Sequence, residues 1–178
     1  MLKTALTYGS VSGVFVIGVI LWGLAAQGGH NGGIFGTEWF GYLIMILALS
    51  TIFLAIRDYR NKKLGGVIKF LPALGLGLMI AAFAGIAYAL AWEVYLAVTH
   101  YRFMDEYVAS IIARQREAGV SGAALEAKIA ELNQMKAAYA NPLFRLPMTF
   151  LEIFPVGLLI ALISAAVLRN PKVLPARG

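Results

Sequence analysis

Apolar residues fall along the chain in four long runs. The first extends from about Ala5 to Ala26 without a charge, and the second from about Trp39 to Ile56, ending at Arg57-Asp58-Tyr59-Arg60. The third extends from about Phe70 to Val98, and the fourth from about Met148 to Leu168, where Arg169-Asn170-Pro171 stops it. A helix needs roughly 20 such residues to cross a bilayer. None of the runs alternates with the period of two that marks a barrel strand, and a helix satisfies its own backbone within one segment. All four are therefore predicted to be transmembrane helices.

The remaining long stretch, between the third and fourth runs, has a different rhythm. Phe103, Met104, Tyr107, Val108, Ile111 and Ile112 share one face of a 3.6-residue helix. Gly119 suits a helix stop and Ser121 the N-cap of a second helix. Leu125, Ile129, Leu132, Met135 and Tyr139 then form an apolar stripe until Asn141-Pro142 breaks it. The expected fold is an all-α membrane protein: four transmembrane helices with an extramembrane helical hairpin between helices 3 and 4. Helices 1–3 are assigned to residues 1–100, the hairpin to 101–146, and helix 4 with its tail to 147–178.

Composition agrees with this reading. Of 178 residues, 60% are apolar and 13% charged, and there is no cysteine. Soluble domains are about 45–50% apolar and roughly a quarter charged, so an ordinary soluble enzyme is excluded. Lack of cysteine excludes disulfides, thiolate metal sites and thiol nucleophiles. The first run exceeds the 7–15 residues of a signal h-region and has only Lys3 beside it. It is expected to be an uncleaved helix, although Leu24-Ala25-Ala26 resembles a cleavage site.

Charge gives the orientation. The Gly-rich connection Gln27 to Thr37 carries no Lys or Arg, whereas Arg57 to Lys69 carries five. The tail adds Arg169, Lys172 and Arg177. Cations in short loops stay cytoplasmic, so both termini and the middle loop are expected there, with the hairpin on the opposite face. The formal charge of +6 is then mostly this asymmetry. No exposed aromatic platform accompanies it, so no nucleic-acid partner is expected.

Two acids lie inside apolar runs, Glu93 and Glu152. An ionisable residue in a membrane is costly and commonly faces the bundle interior or water. His100 follows Glu93 by seven residues, hence on the same helical face. Thr149 precedes Glu152 by one turn, and Pro155 disturbs the carbonyl of Leu151 beside it. Glu93, Glu152, Thr149 and His100 thus form a candidate intramembrane polar site for a proton, a cation or a small molecule. On the other reading Glu152 pairs with Arg145 or with outer-loop donors and simply pins its helix at the interface. The stripe Leu125, Ile129, Leu132 and Met135 is likewise open to two readings: a face packed on the preceding helix, or a docking surface for a partner.

Other features point to construction. Trp22, Trp39, Trp92, Tyr95 and Tyr101 fall near predicted outer boundaries, where such rings anchor. Gly9 and Gly13, then Gly77, Ala81 and Gly85, then Gly157, Ala161 and Ala165, repeat small residues at helix-packing spacing. There is no phosphate loop, nucleophile elbow or zinc-type histidine pair, since only His30 and His100 occur. No catalytic residue, metal or cofactor is expected.

Tyr139-Ala140-Asn141-Pro142, Arg145, and the run Met148-Thr149-Phe150-Leu151-Glu152-Ile153-Phe154-Pro155-Val156-Gly157 resemble the C-terminal signature of domain of unknown function 4199. Arg57-Asp58-Tyr59-Arg60, Gly65-Gly66 with Phe70, and Trp92-Glu93 are similar too. The resemblance covers nearly the whole chain and implies a four-helix bacterial inner-membrane protein. It brings no catalytic residues with it. The expected function is a structural or accessory subunit that binds a membrane-protein partner or itself; the alternative is a carrier using Glu93 and Glu152.

Overall fold

A computed structural model describes residues 1–26 and 38–175, and among these it shows seven helices and no strand. They are α1 (Leu2–Ala26), α2 (Glu38–Leu49), α3 (Thr51–Lys63), α4 (Phe70–Val98), α5 (Phe103–Glu117), α6 (Gly122–Tyr139) and α7 (Pro142–Leu168). Four helical stretches are long and apolar enough to cross a membrane: Leu2–Gly23, Gly41–Lys63, Phe70–Val98 and Pro142–Leu168. The chain is thus an all-α protein with four candidate spans and a helical pair, α5–α6, between the third and the fourth. The connection Gln27 to Thr37, with His30, lies outside the described residues.

Two spans differ in extent from the sequence expectation. The second continues through Arg57-Asp58-Tyr59-Arg60 to Lys63. Asp58 pairs with both Arg57 and Lys62 at 2.9 Å, the latter one helical turn away. Such pairs support a helix, and Arg and Lys are good helix formers. The helix stops where Gly65 takes φ +64°, a left-handed conformation that suits glycine. Within this span the hydroxyls of Ser50 and Thr51 bond back to the carbonyls of Leu47 and Ala48 at 2.6 and 2.7 Å, which separates α2 from α3. The fourth span begins earlier than expected because Asn141-Pro142 starts a helix as well as ending one. The Asn141 side chain accepts the Leu143 N–H at 3.0 Å as an N-cap, and proline fits the first helical position.

The chain divides into two compact units, Met1–Ala91 with Thr149–Gly178, and Trp92–Met148. In the first, small residues bring α4 close to its neighbours. A Cβ on Gly9 would stand 2.6 Å from the Phe83 Cβ, and Gly13 lies against Ala84 and Ala87. Gly77 faces Ala161, Gly157 faces Ala81, and Gly85 faces Phe150. From 77 to 81 to 85 along α4 the facing positions on α7 fall from 161 to 157 to 150, so these two helices are antiparallel. Lipid gives helices no hydrophobic reason to associate, and close packing at small residues supplies the contact instead. Between α1 and α3 the buried Ser12 hydroxyl meets Thr51 at 2.7 Å.

In the second unit α5 and α6 hide their apolar faces against each other. Met104, Val108 and Leu132 form the buried centre, with Ile111, Ile112, Met135 and Tyr139 packed around it. Gly119, at φ +83°, ends α5, and Ser121 stands extended at the start of α6 without a side-chain cap bond.

Candidate functional site

The densest polar arrangement lies in the Trp92–Met148 unit, where four segments contribute. Glu93 comes from the last turns of α4 and Tyr101 from the turn that follows. Tyr139 ends α6, and Arg145 lies in the first turn of α7. The Arg145 side chain is only 3% exposed and grips Glu93 in a bidentate pair: Nε to Oε2 at 2.9 Å and Nη2 to Oε1 at 2.5 Å. Its Nη1 donates to the carbonyls of Tyr139 at 2.8 Å and Ala140 at 3.3 Å, closing the end of α6. The Tyr101 and Tyr139 rings lie 5.2 and 5.6 Å from the guanidinium carbon, a cation–π arrangement. Tyr101 also donates its hydroxyl to Glu93 at 3.0 Å, and that carboxylate pushes the phenol above its ordinary pKa. The phenol therefore remains a donor at neutral pH.

The turn carrying Tyr101 is strained. His100 and Tyr101 take φ +54° and +57°, the left-handed region that costs a non-glycine residue about 1–2 kcal/mol. The Tyr101 N–H donates to the Leu96 carbonyl at 2.7 Å, which closes the end of α4 and directs the ring toward Arg145. Trp92, buried beside them, donates to the Tyr139 hydroxyl at 2.7 Å and meets Phe103 edge-on. A cavity of about 290 Å³ adjoins the cluster, walled in part by Leu96, Met104 and Pro142 and flanked by the Asp105–Lys136 ion pair.

Of the sequence-derived site residues, Glu93 and His100 belong to the Trp92–Met148 unit, and Thr149 and Glu152 to the other. Glu93 is ion-paired with Arg145, the residue considered from the sequence as a partner for Glu152. Glu152 accepts the Tyr88 hydroxyl at 3.3 Å, with Thr149 buried one turn before it on α7. His100 lies past the end of α4 and is exposed. Of the stripe, Leu132 is buried and Met135 packs against the hairpin core, whereas Leu125 and Ile129 are half-buried. Trp92 and Tyr101, read from the sequence as membrane anchors, belong to the arginine cluster.

The structural role of one residue escaped sequence reasoning. Arg60 is fully buried at the end of α3 and donates to the carbonyls of Leu168 at 3.3 Å, Val173 at 2.9 Å and Leu174, and to the Asn61 side chain. It therefore caps the end of α7 with a positive charge where the helix dipole favours one. The motif Arg57-Asp58-Tyr59-Arg60 was the available signal, but it reads as a solvated loop.

The fold and these clusters define a multi-pass helical membrane protein whose polar side chains tie segments together. The family model "Protein of unknown function (DUF4199)" matches residues 7–170, and the chain belongs to that family. No curated protein and no solved structure matches it.

Proposed function

We propose that this chain is an accessory subunit of the bacterial inner membrane that binds a membrane-protein partner or a second copy of itself. Both termini are read as cytoplasmic from the Lys and Arg distribution, with the hairpin on the periplasmic side. The observation that carries the reading is the Arg145–Glu93 pair, in which the carboxylate is already engaged by a guanidinium and a phenol. Such a group holds a turn and two helix ends in place and has little left for a travelling cation. The docking surface on this reading is the half-exposed part of the α6 stripe, Leu125 and Ile129. A photo-crosslinking residue at Leu125 or Ile129 should capture a partner in native membranes, while one at the solvent-facing Glu126 should not. Equal yields at all three positions would sink the docking surface.

The carrier alternative keeps one supporting observation, Glu152 within the apolar part of α7 and bonded to Tyr88. On that reading Glu152→Gln abolishes a pH response or ligand binding without loss of inserted protein. A substitution that lowers only the amount of folded protein assigns the carboxylate to structure.

A further inference from the structure

The chain's charge is concentrated at one end of the Met1–Ala91 and Thr149–Gly178 unit. Residues 57–69 and 169–172 carry seven Lys and Arg against one acid, Asp58. That difference equals the entire formal charge of +6, because cations and acids elsewhere in the chain balance. The positive-inside asymmetry accounts for the side on which these residues lie, but not for how they are held.

Arg60 holds them. Through the carbonyls of Leu168, Val173 and Leu174 it pins the segment after α7 against the end of α3. The segment is further closed by Asn170, whose side chain accepts the Lys172 N–H at 3.0 Å and whose carbonyl accepts the Val173 N–H at 3.1 Å. Leu174 adopts φ +47° in the process. Arg169 and Lys172 are thus carried on a loop tied to the end of α3, the helix that also carries Lys63 one turn after Arg60. Lys63, Lys69, Arg169 and Lys172 are all exposed, and no ion pair engages any of them among the described residues. The Arg60 charge, buried among carbonyls with no carboxylate partner, adds to the same field.

We infer that this platform binds the phosphate of anionic phospholipids on its side of the membrane. Charge complementarity selects the class of partner, and position selects the source: the cations lie at the ends of three candidate spans, where a membrane-spanning helix meets lipid headgroups. Preorganisation by Arg60 removes the ordering cost that a free basic tail would bear. The inference is independent of the partner-binding reading, which concerns the other unit.

The test uses the full chain in nanodiscs of zwitterionic lipid containing 30% phosphatidylglycerol, with retained lipids counted by native mass spectrometry. The ratio of anionic to zwitterionic lipid retained by the wild-type chain is expected to exceed the bulk ratio at least tenfold. Lys63→Gln/Lys69→Gln/Arg169→Gln/Lys172→Gln should lose most of that enrichment, since each cation near an anionic surface is worth about fivefold. Unchanged enrichment in the variant overturns the inference. So does wild-type enrichment that survives 1 M salt, a result that needs no variant to fold. Inorganic phosphate or a polyglutamate peptide that stabilises the chain in purely zwitterionic discs as well as the lipid does would also overturn it, by assigning the site to a soluble anion.

Discussion

Replacing Arg145 by Met leaves the Glu93 carboxylate with the Tyr101 hydroxyl as its remaining partner in the cluster, and leaves the carbonyls of Tyr139 and Ala140 without this donor. Breaking a fully buried pair by removing one partner costs about 3–5 kcal/mol. The Glu93 side chain is 26% exposed and keeps some solvation, so a loss of about 2–3 kcal/mol is expected. Glu93→Gln leaves a guanidinium that is only 3% exposed, and about 3 kcal/mol is expected there. The double substitution should cost less than the two single losses added, by about 1.5 kcal/mol, because neither charge is then stranded. Urea unfolding in a mild detergent measures all three, followed by Trp92 fluorescence in a Trp22→Phe/Trp39→Phe background, which leaves one of the three tryptophans. Single substitutions that each cost under about 0.5 kcal/mol, or strict additivity, would refute the claim that the pair holds this unit together.

Three further outcomes are expected. Gly77→Ile and Gly157→Ile, whose Cβ atoms would stand 2.7 and 2.6 Å from Ala161 and Ala81, should each destabilise the chain by about 1–3 kcal/mol or more in denaturant titration. Gly18→Ile, where a Cβ meets nothing within 4 Å, should be nearly neutral. Arg60→Met should release the segment after α7, so that trypsin cuts at Arg169 and Lys172 far faster, and Arg60→Lys should restore little because it lacks the guanidinium fork. His100→Gly should stabilise the Trp92–Met148 unit by about 1 kcal/mol, since glycine takes φ +54° without penalty.

The spans were legible because lipid imposes a requirement that a single sequence displays. The uncharged stretch from Phe70 to Ala91 reads as a crossing helix in any context, and Gly77, Ala81 and Gly85 mark the face that meets α7. The hairpin was legible for a related reason: Met104, Val108 and Leu132 repeat at helical spacing, and two short helices need each other's apolar faces. The polar clusters were not legible. Glu93 and Arg145 lie 52 positions apart, and nothing in periodicity selects Arg145 over the other cations of that region. Arg60 and the carbonyl of Val173 are separated by 113 positions, and a carbonyl has no sequence signature at all. Asn141-Pro142 carried both of its meanings, a break and a cap, and only the break was evident from the preceding stripe.

The measurement that bears most directly on the central claim is a quantitative affinity purification of the tagged chain from its native membranes in mild detergent, run beside Leu125→Glu/Ile129→Glu. The account predicts a stoichiometric membrane-protein partner or a second copy that is lost in the variant, while the variant stays folded. Recovery of a lone monomer from wild-type membranes would contradict it and move attention to Glu152.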